Sequence, residues 1–124
     1  MANKKILVVD DEKNIVKLIA SRLKANNYEV VAACEGLYAI KMAHEEKPDL
    51  IILDIMMPAG NGLSVFKNLQ DSVATAFIPV IFLTACASEE TRKQALEMGA
   101  KDFITKPFNA EELLLKVKKA LAEA

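Results

Sequence analysis

Apolar residues along this chain fall into short dense runs, separated by longer segments in which they recur every three or four positions. Five runs, Lys5 to Val9, Tyr28 to Ala33, Asp49 to Leu53, Ile78 to Leu83 and Asp102 to Thr105, have the length and the Val, Ile and Leu content of strands. The intervening segments predict helices over 13–26, 36–46, 62–71, 88–98 and 110–122. Their spacing is clearest at Ile15, Leu18, Ile19 and Leu23, and again at Leu114, Val117 and Leu121. Local end signals agree with these limits. Ser88 before Glu89 and Glu90, and Asn109 before Glu111 and Glu112, are N-terminal caps followed by acidic first turns. Asn26-Asn27 and Gly99 supply C-terminal stops.

Strict alternation of strand and helix predicts an α/β fold with a parallel sheet covered on both faces. The third and fourth strands are almost wholly apolar, as a central strand buried on both sides must be. Five such units predict a doubly wound (βα)5 sheet in the order 2-1-3-4-5, the flavodoxin-like arrangement. In that arrangement, ligands sit outside the carboxyl ends of the strands where the order reverses. The 124 residues, 52% hydrophobic, suffice for one core, so residues 1–124 are expected to form a single domain.

Composition narrows the function. Sixteen basic and seventeen acidic residues, with neither sign gathered into a long run, give no nucleic-acid footprint. Apolar runs such as Ile6 to Val9 fall far short of the roughly 20 residues that cross a bilayer, and no secretory pattern opens the chain. A cytoplasmic protein is expected. Cys34 and Cys86 match no metal-ligand spacing and would lie about 14 Å apart across three strand spacings, beyond disulfide reach. His44, among Glu45, Glu46 and Lys47, is expected to be solvated. Met57 is expected to pack, and the Lys116, Lys118, Lys119 cluster to form the cationic last turns of a helix.

The chemistry collects at the strand ends. Asp10 and Asp11 close the first strand, Asp54 the third, Thr84 the fourth and Lys106 the fifth. Strands 1 and 3 are neighbours in the expected order, which sets the three carboxylates about one 5 Å strand spacing apart. Two like charges at 4 Å repel by about 4 kcal/mol at an effective dielectric near 20, so the cluster needs a cation or must take up protons. Magnesium suits it, since that ion takes few carboxylates and leaves positions for phosphate oxygens. With a lysine and a hydroxyl beside them, the carboxylates could receive a phosphoryl group, and Asp54 at the end of the central strand is the best nucleophile.

Four motifs make the sequence recognisable. Ile6-Leu7-Val8-Val9-Asp10-Asp11-Glu12, Asp54-Ile55-Met56-Met57-Pro58 with Gly62, Leu83-Thr84-Ala85, and Gly99-Ala100-Lys101-Asp102-Phe103 followed by Lys106-Pro107-Phe108 together resemble response-regulator receiver domains. The resemblance implies that Asp54 accepts a phosphoryl group from a phosphohistidine on a sensor histidine kinase or a histidine phosphotransfer protein. It implies Mg2+ held by Asp11 and Asp54, by the backbone carbonyl of Met56, and by Asp10 through a water. Lys106 would pair with a phosphoryl oxygen and Thr84 would hydrogen-bond another, with Ala85 small enough to leave room. Lys106-Pro107 would be a cis peptide. Phe103 stands where the best-known single-domain regulator has a switch tyrosine. Its ring would turn from an exposed to a buried position, altering the surface of helix 4, strand 5 and helix 5, where a downstream partner or a second copy docks. Met56 and Cys86 occupy positions that influence how quickly the acyl phosphate hydrolyses.

Two other functions fit a sheet of this kind less well. A phosphatase of the haloacid-dehalogenase type also forms an aspartyl phosphate, but it would show an acid two residues after the nucleophile, where Met56 stands. A flavin or nucleotide binder would show a Gly-rich or hydroxyl-rich loop after strand 1, where Asp10-Asp11-Glu12 would repel phosphate.

Overall fold

The computed structural model describes residues 3–55, 62–85 and 88–122. Strands β1 (Lys5–Val9), β2 (Glu29–Ala33), β3 (Leu50–Asp54), β4 (Val80–Thr84) and β5 (Asp102–Thr105) alternate with helices α1 (Lys13–Ala25), α2 (Gly36–Glu46), α3 (Gly62–Gln70), α4 (Glu89–Glu97) and α5 (Ala110–Ala122). All four strand pairings are parallel and the order is β2-β1-β3-β4-β5, the flavodoxin-like doubly wound sheet.

Strand alternation divides the core in two. Leu7, Val9, Ile51, Leu53, Phe82 and Phe103 point to the face covered by α2, α3 and Ala95 of α4. Ile6, Val8, Leu50, Ile52, Ile81, Leu83 and Ile104 point to the face covered by α1 and α5. Both faces of β3 and β4 are therefore dry, which is why their sequences carry no polar alternation. The helix-end signals operate as read at several points. Asn109 Oδ1 accepts a 2.7 Å hydrogen bond from the Glu112 amide, and Asn27 and Gly99 take the left-handed conformation, with φ of 68° and 106°.

Three strands start later than the apolar runs suggest, for local reasons. The Tyr28 amide donates to Leu23 O and so closes α1. The Asp49 carboxylate accepts from the Lys5 amide, which makes this residue a cap at the strand entrance. Ile78 belongs to a turn, its amide donating to Thr75 O, and Pro79 has no amide to give a ladder. At the other end β3 and β4 each run one residue further than expected, taking Asp54 and Thr84 into the sheet itself. Asp54 pairs with Leu83, and Thr84 with Thr105.

Gly62, the first residue of α3, lies against the end of β3. Its amide donates to Ile55 O at 2.8 Å. A Cβ there would sit 2.7 Å from Ile55 Cα and 2.9 Å from the Asp54 carbonyl carbon, and would overlap the Asp54 carbonyl oxygen. Backbone cannot yield as a side-chain tip can, so Gly62→Ala is expected to cost about 1–3 kcal/mol as overpacking. Urea denaturation reads this directly, and a midpoint equal to that of the parent would show that α3 can slide away from Asp54.

Candidate phosphoacceptor site

Successive register steps assemble the site. Val9 pairs with Leu53, so Asp10 and Asp54 emerge side by side where the strand order reverses. Asp10 extends the sheet by one further bond, its amide donating to Ala33 O at 3.2 Å. Carboxylate oxygens of Asp10, Asp11 and Asp54 all lie within 4.8 Å of one another. Asp10 and Asp54 are buried and Asp11 is exposed, leaving the cluster open on one side.

Lys106 enters from the β5 edge. Its amide donates to Thr84 O at 2.7 Å, and the Lys106-Pro107 peptide bond is cis. The ammonium lies 2.8 Å from Asp10 Oδ2, 3.2 Å from Glu12 Oε1 and 3.4 Å from Asp54 Oδ2. Burial by itself lowers the pKa of this ammonium. The Asp10 contact, the Asp54 charge and the Glu12 contact more than reverse that effect and hold it well above the ordinary lysine value. Lys106 is thus a permanent cation at any working pH.

One lysine does not balance this site. Asp10 Oδ1 accepts from the Glu12 amide at 2.8 Å, but the buried Oδ2 has no hydrogen-bond partner beyond its charge contact with Lys106. An under-satisfied buried carboxylate oxygen beside two further carboxylates is the donor set of a hard cation. The residues fit magnesium.

Thr84 is fully buried on the strand next to Asp54. Its register partner is Thr105, so Phe103, two residues back, is its diagonal neighbour on the same face of the sheet. Met56, Cys86 and Pro58 lie outside the described residues, so the expected carbonyl ligand and the expected control of hydrolysis are not placed. Cys34 is exposed and unpaired by any disulfide.

Phe103 corrects an expectation. Instead of starting exposed, its side chain is buried and part of the core. Two cations explain its position. The Arg92 guanidinium lies 5.0 Å, and the Lys116 ammonium 5.6 Å, from the ring centroid. Lys116 also donates to the Phe103 carbonyl at 2.7 Å and lies 3.6 Å from Asp102 Oδ1, so it joins α5 to β5 and is not simply a charge in a helix's last turns. Sequence reasoning gave no role to Arg92 and none to the Glu12 side chain. The available signal for Glu12 was its place as the third acid of Asp10-Asp11-Glu12.

A five-stranded parallel sheet whose reversal point carries an acid cluster beside a half-buried lysine defines a class, and comparison with known proteins agrees. The chain belongs to the response regulator receiver domain family, which it matches over residues 6–118. It is therefore a signalling module of two-component systems. It is 44% identical over 119 residues to the alkaline phosphatase synthesis transcriptional regulatory protein PhoP of Bacillus subtilis, an alignment covering 96% of this chain and 49% of that protein. The chain thus spans about half the length of that relative. The chemotaxis protein CheY4 of Vibrio cholerae superposes with a TM-score of 0.91 at 32% identity, covering 96% of this chain and 99% of the other. The receiver domain of the sensor histidine kinase PA1611 of Pseudomonas aeruginosa superposes with a TM-score of 0.89 at 27% identity, covering 98% and 99%. That structure has a magnesium ion coordinated in its active-site cleft. No helix among the described residues is long and apolar enough to cross a membrane.

Proposed function

We propose that Asp54 is the phosphoacceptor and that the chain works as a magnesium-dependent switch charged by a phosphohistidine donor. The observation that carries this reading is the meeting of Asp10, Asp11 and Asp54 within 4.8 Å, with the Lys106 ammonium 3.4 Å from Asp54 Oδ2. A carboxylate oxygen of Asp54 attacks phosphorus as the P–N bond to the donor imidazole breaks, and the leaving nitrogen keeps the bonding pair. The transition state is loose, so positioning and charge neutralisation do most of the catalytic work. Magnesium held by Asp11 and Asp54, with the Met56 carbonyl as a further ligand and Asp10 acting through a water, would neutralise charge on the phosphoryl oxygens. Lys106 neutralises another, and Thr84 donates its hydroxyl once the group is in place. Slow hydrolysis, in which water attacks phosphorus and the bond to Asp54 breaks, returns the switch to rest. Partners of this reading are a sensor histidine kinase or a phosphotransfer protein upstream, and a protein or second copy on the face of α4, β5 and α5 downstream.

Incubation with phosphoramidate and magnesium is expected to add about 80 Da by intact mass, the increment of one phosphoryl group. A chain that stays unlabelled would remove the basis of the proposal. Readout is expected to run through Thr84. As this side chain moves toward the phosphoryl group, the space behind it favours the inward Phe103 ring that Arg92 and Lys116 already hold. Thr84→Ala should still label but transmit poorly to the α4, β5 and α5 face. Amide NMR shifts on adding beryllofluoride should be smaller around Phe103 in the variant, and shifts of parental size would point to another route.

A further inference from the structure

The side chain of Glu12 has no part in the reading above, yet it reaches across 94 residues of sequence to touch Lys106. A lysine ammonium has three N–H donors, and here three carboxylate oxygens, from Asp10, Glu12 and Asp54, lie within 3.4 Å of it. Carboxylates crowd the ammonium on three sides, so an arriving phosphoryl oxygen competes with them for it.

The three are not equally easy to displace. Asp10 is fully buried and makes the shortest of the three contacts, at 2.8 Å, so water cannot readily replace the ammonium there. Asp54 is the atom group that carries the phosphoryl and stays next to Lys106 in either state. Glu12 is different, because its side chain is 61% exposed and water can replace the ammonium at once. Its backbone role is independent of this contact, since the Glu12 amide orients Asp10 Oδ1 and its carbonyl accepts from Ile15 and Val16 at the start of α1.

We infer that Glu12 is a positioning residue that parks the Lys106 ammonium on the solvent side of the unphosphorylated site, and that the phosphoryl group takes its place. The inference rests on Asp54 and Lys106 acting as proposed, and deepens that reading by assigning a resting partner to the lysine. Glu12 therefore opposes charging of the switch, and an amide or methyl in its place should favour it.

The test is beryllofluoride titration in saturating magnesium, followed by amide NMR, for the parent, Glu12→Gln, Glu12→Ala, Lys106→Gln and Glu12→Gln combined with Lys106→Gln. Both Glu12 variants should bind beryllofluoride about three- to fivefold more tightly than the parent, the scale of one exposed ion pair released. In the Lys106→Gln background the Glu12 change should bring no gain. Unchanged affinity in both single Glu12 variants would overturn the inference, as would an equal gain with Lys106 already removed, which would mark simple relief of negative charge. A parent that binds no beryllofluoride would instead refute the phosphoacceptor reading.

Discussion

Asp54→Asn is expected to abolish labelling by phosphoramidate while leaving a folded chain at least as stable as the parent in the absence of metal. Loss of labelling follows from chemistry, since a neutral amide oxygen is a far weaker nucleophile than a carboxylate. The stability expectation follows from the charges around it. Asp54 is buried with Asp10 and Asp11 within 4.8 Å, and the Lys106 ammonium lies 3.4 Å from its Oδ2. Removing one charge relieves the repulsions from Asp10 and Asp11 and gives up the Lys106 attraction, a net gain of about 2 kcal/mol at an effective dielectric near 20. Magnesium should raise the melting temperature of the parent more than that of the variant, because one carboxylate ligand has gone. Intact mass and thermal melts with and without magnesium check both parts. Undiminished labelling of the variant would show that another residue accepts the group, and Asp10 and Asp11 would be the next to replace.

Removing metal should have the second largest effect. Chelation is expected to end labelling, and Asp11→Ala should weaken magnesium binding by at least roughly 10- to 100-fold, the range seen when even supporting residues of a metal site are lost. Asp11 is the informative position because its side chain is exposed, so its removal should leave the fold intact. Glu12→Ala serves as the comparison. Glu12 lies next in sequence but outside the trio of carboxylates that meet, and its partner is Lys106. Magnesium titration by NMR or calorimetry should separate the two variants clearly. Equal losses would mean that the carboxylates contribute only general negative charge, with no defined coordination.

The fold and the placement of most candidate site residues were legible in the residue pattern. Alternation of apolar runs with 3.6-residue spacing dictates a parallel sheet under two helical layers, and a doubly wound sheet of five strands has one reversal point. Because side chains at strand ends are fixed by register, the positions of Asp10, Asp54, Thr84 and Lys106 relative to one another follow once the strands are found. Strand starts were less legible, since Tyr28, Asp49 and Pro79 are claimed by hydrogen bonds or ring geometry that apolar content does not report.

Where the long side chains go depends on packing between elements. Lys106 selects among Asp10, Glu12 and Asp54 through rotamers that no local pattern specifies, and its contact with Glu12 joins residues at opposite ends of the chain. The Phe103 ring lies inward with Arg92 from α4 and Lys116 from α5 both near it, so the helices on either side of β5 meet at one side chain. The physical reason is the same in both cases. Backbone periodicity is a local property written every two or four residues, whereas charge pairing is fixed by distances that exist only after the helices have packed on the sheet.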